Sequence, residues 1–284
     1  MDATLERQDS GPARVRPRLS RTFSRSRWAE YERFLRSAQE NGYRILSLED
    51  WVSAGRPVEG EPTLILRHDV DQHPRSALRM AAIEKELGVR SSWYFRWRTA
   101  HPAVVEKVKR DGFQVGLHYE TMSRIALQRD LHEEPSEELI ESCREVLRSE
   151  LAAFEGLFGP CHVAVPHGDS RIPEVHNALL LKGQDCSEYG IDYDGNEVMR
   201  GHDLGLWLTD RIASEGGWME GIDPLEKLAE RASPILTVTH PNNWASGPSL
   251  WTDRMLGTIL PNQPLSDGRR ASRPIRTGTD EPPA

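Results

Sequence analysis

Short apolar runs alternate with segments of helical periodicity along most of the chain. Apolar residues recur every three to four positions from Trp28 to Ala38 and stop before Gly42, which predicts a first amphipathic helix. Helix-start residues and closing glycines predict four more helices, at 74–87, at 102–112, from 136 to about 156, and from 223 onward. We therefore expect a helix between most of the apolar runs.

The apolar runs have the length and the β-branched or aromatic content of strands. They are YRILSL (43–48, before a short acidic turn), TLILRHDV (63–70), SSWYFRW (91–97), FQVGLHY (113–119), HVAVP (162–166), LWLT (206–209) and PILTVTH (234–240). Strands that alternate with helices are typical of a parallel sheet wrapped by helices. The pattern therefore predicts an α/β fold, and a chain of 284 residues is compatible with one barrel or with two smaller domains.

Two terminal segments lack this periodicity. Residues 1–27 carry seven arginines against three acidic residues, so this arm has a charge of +4 and the rest of the chain −12. The composition predicts a disordered arm, with contact to an acidic partner as the alternative. Residues 263–284 are rich in Arg, Pro, Ser, Gly and Asp and predict a disordered tail. The folded domain is expected to span residues 28–262.

Composition excludes several classes of protein. The net charge of −8 disfavours a nucleic-acid-binding protein, whose footprint would be basic. No apolar run has the length of a membrane span, and the first residues lack the apolar stretch of a secretory signal, so we expect a cytoplasmic protein without membrane contact. The cysteines Cys143, Cys161 and Cys186 are odd in number and have no CxxC spacing, so we expect free thiols and no thiolate zinc site.

Ionisable residues collect at the carboxyl ends of the predicted strands. They are Asp69, Asp71, His118, Glu120, His167, Asp210 and His240. Active sites of parallel α/β sheets and barrels form at this edge. We therefore expect these side chains to share one site, whereas His101, His132, His176 and His202 fall in predicted loops or helices and are interpreted as surface histidines.

Alternation along RHDVD places Arg67, Asp69 and Asp71 on one face of the second strand. Two carboxylates at this spacing can divide the work of binding a cation and accepting a proton, and Arg67 can keep one of them ionised. The alternative is an Asp-rich turn that caps the next helix.

VGLHYE repeats this geometry, because His118 and Glu120 share a face of their strand. His167 in VPHGDS and His240 in TVTHPNNW stand at strand ends where a turn must begin. A single histidine is more often a structural residue than a ligand. A functional interpretation is favoured because several histidines and carboxylates are expected at the same edge of the sheet.

The order RHDVD, GLHYE, PHG and THPxxW over residues 28–262 resembles the polysaccharide deacetylase (NodB-homology) superfamily, in the branch with HDVD in place of TFDDG. The resemblance implies a distorted, incomplete (β/α) barrel, a divalent metal, and hydrolysis of an N-acetyl or related amide on a sugar. It also implies that Asp69 is the general base, Asp71 a metal ligand and His240 the general acid.

One position departs from the family pattern. The commoner motif has two histidines separated by three residues, but Met122 stands four residues after His118. The third ligand must then come from elsewhere, and His167 and Glu120 are the candidates. We favour His167, because it preserves an Asp-His-His set and precedes Gly168, and we expect Asp71, His118 and His167 to hold the metal.

The residues are thus interpreted as those of a one-metal hydrolase that acts on a carbohydrate or a sugar conjugate. Mixed nitrogen and oxygen ligands suit zinc first, with iron, cobalt, nickel and manganese as alternatives. Substrate contacts are expected from Arg67, Glu120, Asp210 and Trp244. Trp97 and Trp218 are further candidates for stacking on sugar, with packing as the alternative, and packing is favoured for Trp51 and Trp93.

Two other functions stay open at this point. An inactive relative could serve as a sugar- or metal-binding module, although such a module would not need both Asp69 and His240. A metal-dependent phosphoesterase would need more basic residues at the strand ends than Arg67 and Arg211 provide.

Overall fold

The computed structural model describes residues 25–53, 61–201, 205–211, 217–218 and 221–248. Most of the predicted 1–27 arm, all of the predicted 263–284 tail and the end of the 28–262 domain lie outside these ranges. Within them, Arg27 already belongs to the packed structure, since its backbone N–H donates to the Trp244 carbonyl at 2.8 Å. No helix in the described ranges is long and apolar enough to cross a membrane.

Eight strands form one sheet whose described pairings are all parallel. They are β1 (Arg44–Leu46), β2 (Thr63–Val70), β3 (Ser92–Phe95), β4 (Gln114–Tyr119), β5 (Val163–Pro166), β6 (Tyr193–Asp194), β7 (Leu206–Thr209) and β8 (Ile235–Thr239). Their order is β6-β5-β4-β3-β2-β8-β7, and β1 pairs with the first residues of β2. All of the predicted strands are present.

Helices connect most of the successive strands, as parallel pairing requires. They are α1 (Trp28–Glu40), α2 (Leu48–Ser53), α3 (Pro74–Leu87), α4 (Pro102–Arg110), α5 (Thr121–Gln128), α6 (Glu137–Phe158), α7 (Gly195–Gly201) and α8 (Pro224–Ala229). The exceptions are α1, which precedes β1, and the β5–β6 connection, which contains the short 3-10 turns Asn177–Leu179 and Cys186–Tyr189. Prolines open α3, α4 and α8, and the Ser136 hydroxyl caps α6 by accepting from the backbone N–H of Leu139 at 3.3 Å.

The sheet curls into an incomplete (β/α) barrel, which confirms the predicted fold class. Its end strands β6 and β7 pair with β5 and β8 respectively, and no pairing between β6 and β7 is found within the described residues. A small apolar cluster fills the concave face and includes Leu46, Ile65, Tyr94, Val163, Val165, Leu236 and Val238. A larger cluster joins the outer face to the helices.

Among the described α-helices and strands, four short ones were not predicted. The residues after β1 form α2 where an acidic turn is expected, and α5, β6 and α7 lie in stretches without a clear period. Each is eight residues or shorter, so few positions are available to establish a repeat. Among them, α2 contributes Leu48 and Trp51 to the concave cluster and thereby covers apolar surface inside the barrel.

Candidate active site

Polar side chains meet at the carboxyl ends of β2, β4, β5 and β8. Asp69 lies in β2 and Asp71 one residue beyond its end, His118 lies in β4, and His167 and His240 directly follow β5 and β8. Because parallel strands end at the same edge, residues almost 170 positions apart in the sequence come into contact. The structure therefore brings together the residues that the sequence assigns to catalysis and to metal binding.

Asp71, His118 and His167 form a group that could hold a metal ion, with ligand atoms all within 4.8 Å of one another. Asp71 Oδ1 lies 3.3 Å from His118 Nε2 and 3.2 Å from His167 Nδ1. This buried oxygen has no hydrogen-bond partner of acceptable geometry in the described structure. A cation among the three atoms would satisfy it, and one carboxylate with two imidazoles suits a borderline divalent ion.

The protonation states of Asp71 and His167 suit a cation. Burial raises the pKa of Asp71, but the His118 and His167 imidazoles outweigh this effect and hold the pKa well below its usual value. Burial lowers the pKa of His167 despite the nearby carboxylate. Asp71 is therefore ionised and His167 neutral near pH 7, which are the forms that coordinate metal.

Contacts of the His118 ring and of the His167 backbone hold the two residues in place. His118 Nδ1 lies 3.1 Å from the Val165 carbonyl, so the proton is expected on Nδ1 and the lone pair on Nε2 faces Asp71. The backbone N–H of His167 donates to the Tyr119 carbonyl at 2.8 Å, and Asn177 Nδ2 donates to the His167 carbonyl at 2.7 Å. Both histidines are thus held in place by neighbouring residues of the protein.

Glu120 and Met122 lie away from this group. Glu120 pairs with the buried Arg96 guanidinium, and Met122 is fully buried in the outer core on α5. The side chain that stands beside Asp71 and His118 is His167, as favoured from the sequence. Since β4 and β5 are neighbours, a histidine at the end of β5 can occupy the space beside His118.

Arg67 holds Asp69 on the concave face of β2. The Arg67 Nε and Nη2 atoms donate to the two carboxylate oxygens at 2.8 and 2.7 Å, and both side chains are buried. Burial raises the pKa of Asp69, but Arg67, with His118 and His240, outweighs this effect and lowers the pKa below its usual value. Asp69 is therefore an ionised carboxylate at the edge of the metal group, with Oδ2 3.6 Å from His118 Nε2.

His240 faces the same group from β8. Its Nε2 lies 3.8 Å from Asp71 Oδ2, and its Nδ1 lies 2.7 Å from Asp210 Oδ1. Burial lowers the pKa of His240, but the Asp210 carboxylate, with Asp69 and Asp71, outweighs it and raises the pKa to about 9. The imidazole is therefore a proton donor at neutral pH.

Asp210 accepts four hydrogen bonds from the segment after β8. Besides the His240 ring, its oxygens accept from the His240 backbone N–H at 3.0 Å, from Trp244 Nε1 at 2.6 Å and from Asn243 Nδ2 at 3.3 Å. The carboxylate is itself buried. The loops that follow β7 and β8 are thus joined at one buried charge, which fixes the position of His240.

An open cavity of about 970 Å³ lies over these groups, at the upper end of the range for small-molecule sites. Its lining includes Asp69, Asp71, His118, His167 and His240. The segment after β5 supplies much of the opposite wall, and α7 and β7 supply Asn196 and Thr209.

The four residues expected to contact substrate lie behind this lining rather than in it. Arg67 holds Asp69, Glu120 pairs with Arg96, and Trp244 donates to Asp210, which holds His240. Their hydrogen-bonding groups are occupied by other residues of the site. In this arrangement they position the residues in front of them, and their direct contact with substrate stays a prediction.

Sequence reasoning missed several residues of the cavity wall. His176, expected to be an ordinary surface histidine, lines the cavity, together with Asp169, Asn177, Lys182, Asn196 and Thr209. Most lie in irregular backbone after β5, where no periodicity marks which side chains turn inward. The only available signal was the polar stretch that starts at His167 and Gly168.

The tryptophans proposed to stack on sugar are packing residues in this structure. Trp97 and Trp218 are at most 6% exposed and Trp244 is fully buried. Trp51 and Trp93 are also buried, in keeping with the packing role favoured for them. Stacking on substrate therefore requires a different aromatic residue.

Comparison with known proteins finds similarity only among solved structures. No family model matches the sequence, and no curated protein matches it. A pseudoenzyme of the CE4 family from Bacillus anthracis is 14% identical with a TM-score of 0.40, and the match covers 71% of this chain and 62% of that one. The chain thus spans less than two thirds of that protein's length.

Two further structures carry related names. A family 4 carbohydrate esterase from Streptomyces lividans, in complex with acetate, is 15% identical with a TM-score of 0.35, covering 71% of this chain and 91% of that one. A peptidoglycan deacetylase from Bacillus subtilis is 10% identical with a TM-score of 0.39, covering 72% and 87%. These names agree with the family that the sequence motifs resemble, and at such low similarity nothing about activity follows from them.

Proposed function

We propose that the protein is a metal-dependent hydrolase that removes an N-acetyl or related amide group from a carbohydrate or sugar conjugate. The observation that carries the proposal is that an ionised Asp69 and a protonated His240 both stand beside the Asp71-His118-His167 group, 3.6 Å from His118 Nε2 and 3.8 Å from Asp71 Oδ2 respectively. A carboxylate that accepts a proton and an imidazolium that donates one are the two groups that amide hydrolysis needs.

The Asp71, His118 and His167 side chains would hold the divalent ion in this proposal. Zinc is the first expectation for one oxygen and two nitrogen ligands, and iron, cobalt, nickel and manganese also suit the set. When bound, the ion would supply Lewis-acid chemistry, by polarising the amide carbonyl of the substrate. The buried and unpaired Asp71 Oδ1 supports this assignment.

Asp69 and His240 divide the proton transfers. Asp69 accepts the proton of the attacking water, and Arg67 holds the carboxylate ionised and correctly oriented for this step. His240 donates its proton to the leaving amine nitrogen, because the amine is a poor leaving group without it. Asp210 keeps His240 protonated and aimed at the cavity.

The carbohydrate part of the proposal is supported by the motif resemblance and by an open cavity whose wall carries several hydrogen-bonding side chains. Hydroxyl-rich ligands need donors and acceptors along their length, and Asn177, Lys182, Asn196 and Thr209 provide them along the cavity wall. The occupied hydrogen-bonding groups of Arg67 and Arg96 leave few cations free for a phosphate ester, which disfavours the phosphoesterase alternative.

The test is a deacetylation assay on N-acetylglucosamine and its oligomers, with release of acetate measured for the purified, zinc-loaded protein. Asp69→Asn and His240→Ala should each lower kcat about 10²- to 10⁴-fold while bound metal, measured by mass spectrometry, is retained. His132→Ala, at an exposed histidine far from the site, is the matched control.

Two outcomes would overturn the proposal. If the parent protein releases no acetate from any N-acetylated sugar and yet binds one, the protein is a binding module. If either variant retains the parental rate, that residue has no part in the chemistry.

A further inference from the structure

An exposed tryptophan stands on the open edge of the barrel. Trp207 is the second residue of the end strand β7 and is 49% exposed, whereas Trp97 and Trp244, which follow β3 and β8, are buried. An indole is seldom left so exposed without a partner, because it carries one of the largest apolar surfaces among side chains. Trp207 therefore presents a flat apolar surface that no described packing uses.

This surface belongs to the concave side of the barrel. Trp207 is in register with Leu236 of β8, which belongs to the concave cluster. Partners in a parallel pair point to the same side of the sheet, so the indole faces inward. On a closed barrel a further strand would cover it, and here β7 is the last strand of the described sheet order.

Thr209 connects the indole to the cavity. Trp207 Nε1 donates to Thr209 Oγ1 at 2.8 Å, and Thr209 lines the cavity that holds His240. The two residues are two positions apart on one strand and so point to the same side, about 6.6 Å from each other along it. The indole is thereby oriented in advance beside the cavity wall, which reduces the entropy lost when a ligand stacks on it.

We propose that Trp207 is a stacking platform for a second sugar ring, so that the substrate is an oligosaccharide that extends from the cavity past Thr209 and over the end strand β7. This inference rests on the proposed function. Sugar rings carry hydroxyls at their edges and C–H groups on their faces, and an indole fixed by its N–H binds such a face by apolar contact. One sugar ring would lie over the metal group and the next over Trp207.

The experiment compares substrates of increasing length. Trp207→Ala should raise KM for the N-acetylglucosamine tetramer about tenfold more than it raises KM for the monomer, because the tetramer reaches the platform and the monomer does not. Trp207→Phe, which keeps an aromatic ring face, should return KM for the tetramer most of the way to the parental value. Leu157→Ala, at a 49% exposed apolar side chain of the outer helix α6, is the control and should affect both substrates equally.

Binding is measured separately by calorimetry with the same oligomers, so that the result does not depend on turnover. Trp207 is not a stacking platform if the parent binds the tetramer no more tightly than the monomer, or if Trp207→Ala leaves the ratio of the two affinities at the parental value. Either result would leave the proposed deacetylation unaffected. If no sugar is deacetylated but the tetramer preference is present and lost in Trp207→Ala, the platform stands and the proposed function fails.

A contact between two copies of the chain is the remaining explanation for the exposed indole. Sedimentation of the parent and of Trp207→Ala distinguishes it, since a dimer that separates on substitution would assign the surface to that contact and overturn the proposal.

Discussion

At the scale of single residues, the site depends on which side chain replaces a missing histidine. Met122 occupies the position where the commoner motif has a ligand, and it is buried in the outer core. His167 reaches the group from the neighbouring strand end, while Glu120 pairs with Arg96. The same carboxylate-imidazole chemistry is therefore assembled from three strand ends rather than two.

We expect His167→Ala to lower metal affinity much more than Glu120→Gln does. The first variant removes one of three ligand atoms, and loss of a ligand typically costs far more affinity than loss of a residue that does not contact the ion. Titration of the purified variants with zinc against a chromogenic chelator gives the two affinities. Glu120 would be the ligand if the order were reversed.

A second residue-scale prediction concerns the pH dependence of activity. His240 must be protonated to donate, so activity should fall as pH rises through its pKa, which Asp210 raises. Asp210→Asn removes the carboxylate charge and should lower that pKa, so the basic limb of the kcat profile should move to lower pH.

The pH profiles of parent and variant, with circular dichroism to verify folding, test this relation. Asn243→Ala removes a weaker bond to Asp210 at 3.3 Å and should move the limb little. A basic limb at the same pH in Asp210→Asn would assign it to another group.

At the scale of elements, β4 is positioned by close packing on both sides. A Cβ atom at Gly116 would lie 2.2 Å from the Val163 carbonyl oxygen of β5 and 2.7 Å from the Tyr94 ring of β3. Only glycine fits between these neighbours without moving a strand. Since His118 lies two residues later on the same face, the fit at Gly116 also sets the depth of this ligand.

Gly116→Ala should therefore destabilise the protein by about 1–3 kcal/mol or more, since an inserted methyl group overpacks the core. Gly156→Ala in α6 is the matched control, because nothing lies within 4 Å of the position and alanine favours a helix by about 0.5–1 kcal/mol. Urea unfolding of both variants measures the two free energies. Equal free energies of unfolding for the two variants would show that β4 can shift to accommodate the added methyl group at little cost.

At the scale of the whole molecule, the proposed ion would link β2, β4 and β5, whose residues are far apart in the sequence. The unfolded chain does not hold these ligands together, so binding energy would appear as stability. The open edge between β6 and β7 lacks such a link in the described structure. Stability and metal content should therefore change together.

We expect zinc at about 100 times its Kd to raise the free energy of unfolding by about 2.7 kcal/mol, with a higher Tm. Asp71→Ala should abolish the increase, whereas Glu32→Gln, at an exposed carboxylate of α1, should retain it. Thermal unfolding with zinc and with a chelator gives the comparison. An identical Tm in both conditions would argue against a metal held by these three strands.

The sequence by itself determined the order of the main strands and helices, and the strand ends at which the ionisable residues stand. Period and length carry this information locally, as in TLILRHDV, where a buried strand runs into two aspartates. It also restricted the replacement for Met122 to His167 or Glu120. These conclusions need only neighbours along the chain.

Only the tertiary structure decided which of these residues face each other. Arg67 and Trp244 donate to Asp69 and Asp210, because buried carboxylates need hydrogen-bond donors. The curvature of the sheet determines which side chains of the segment after β5 point into the cavity. The exposure of Trp207 depends on β7 being the last strand of the described sheet. Such features arise from contacts between distant segments, which no local period encodes.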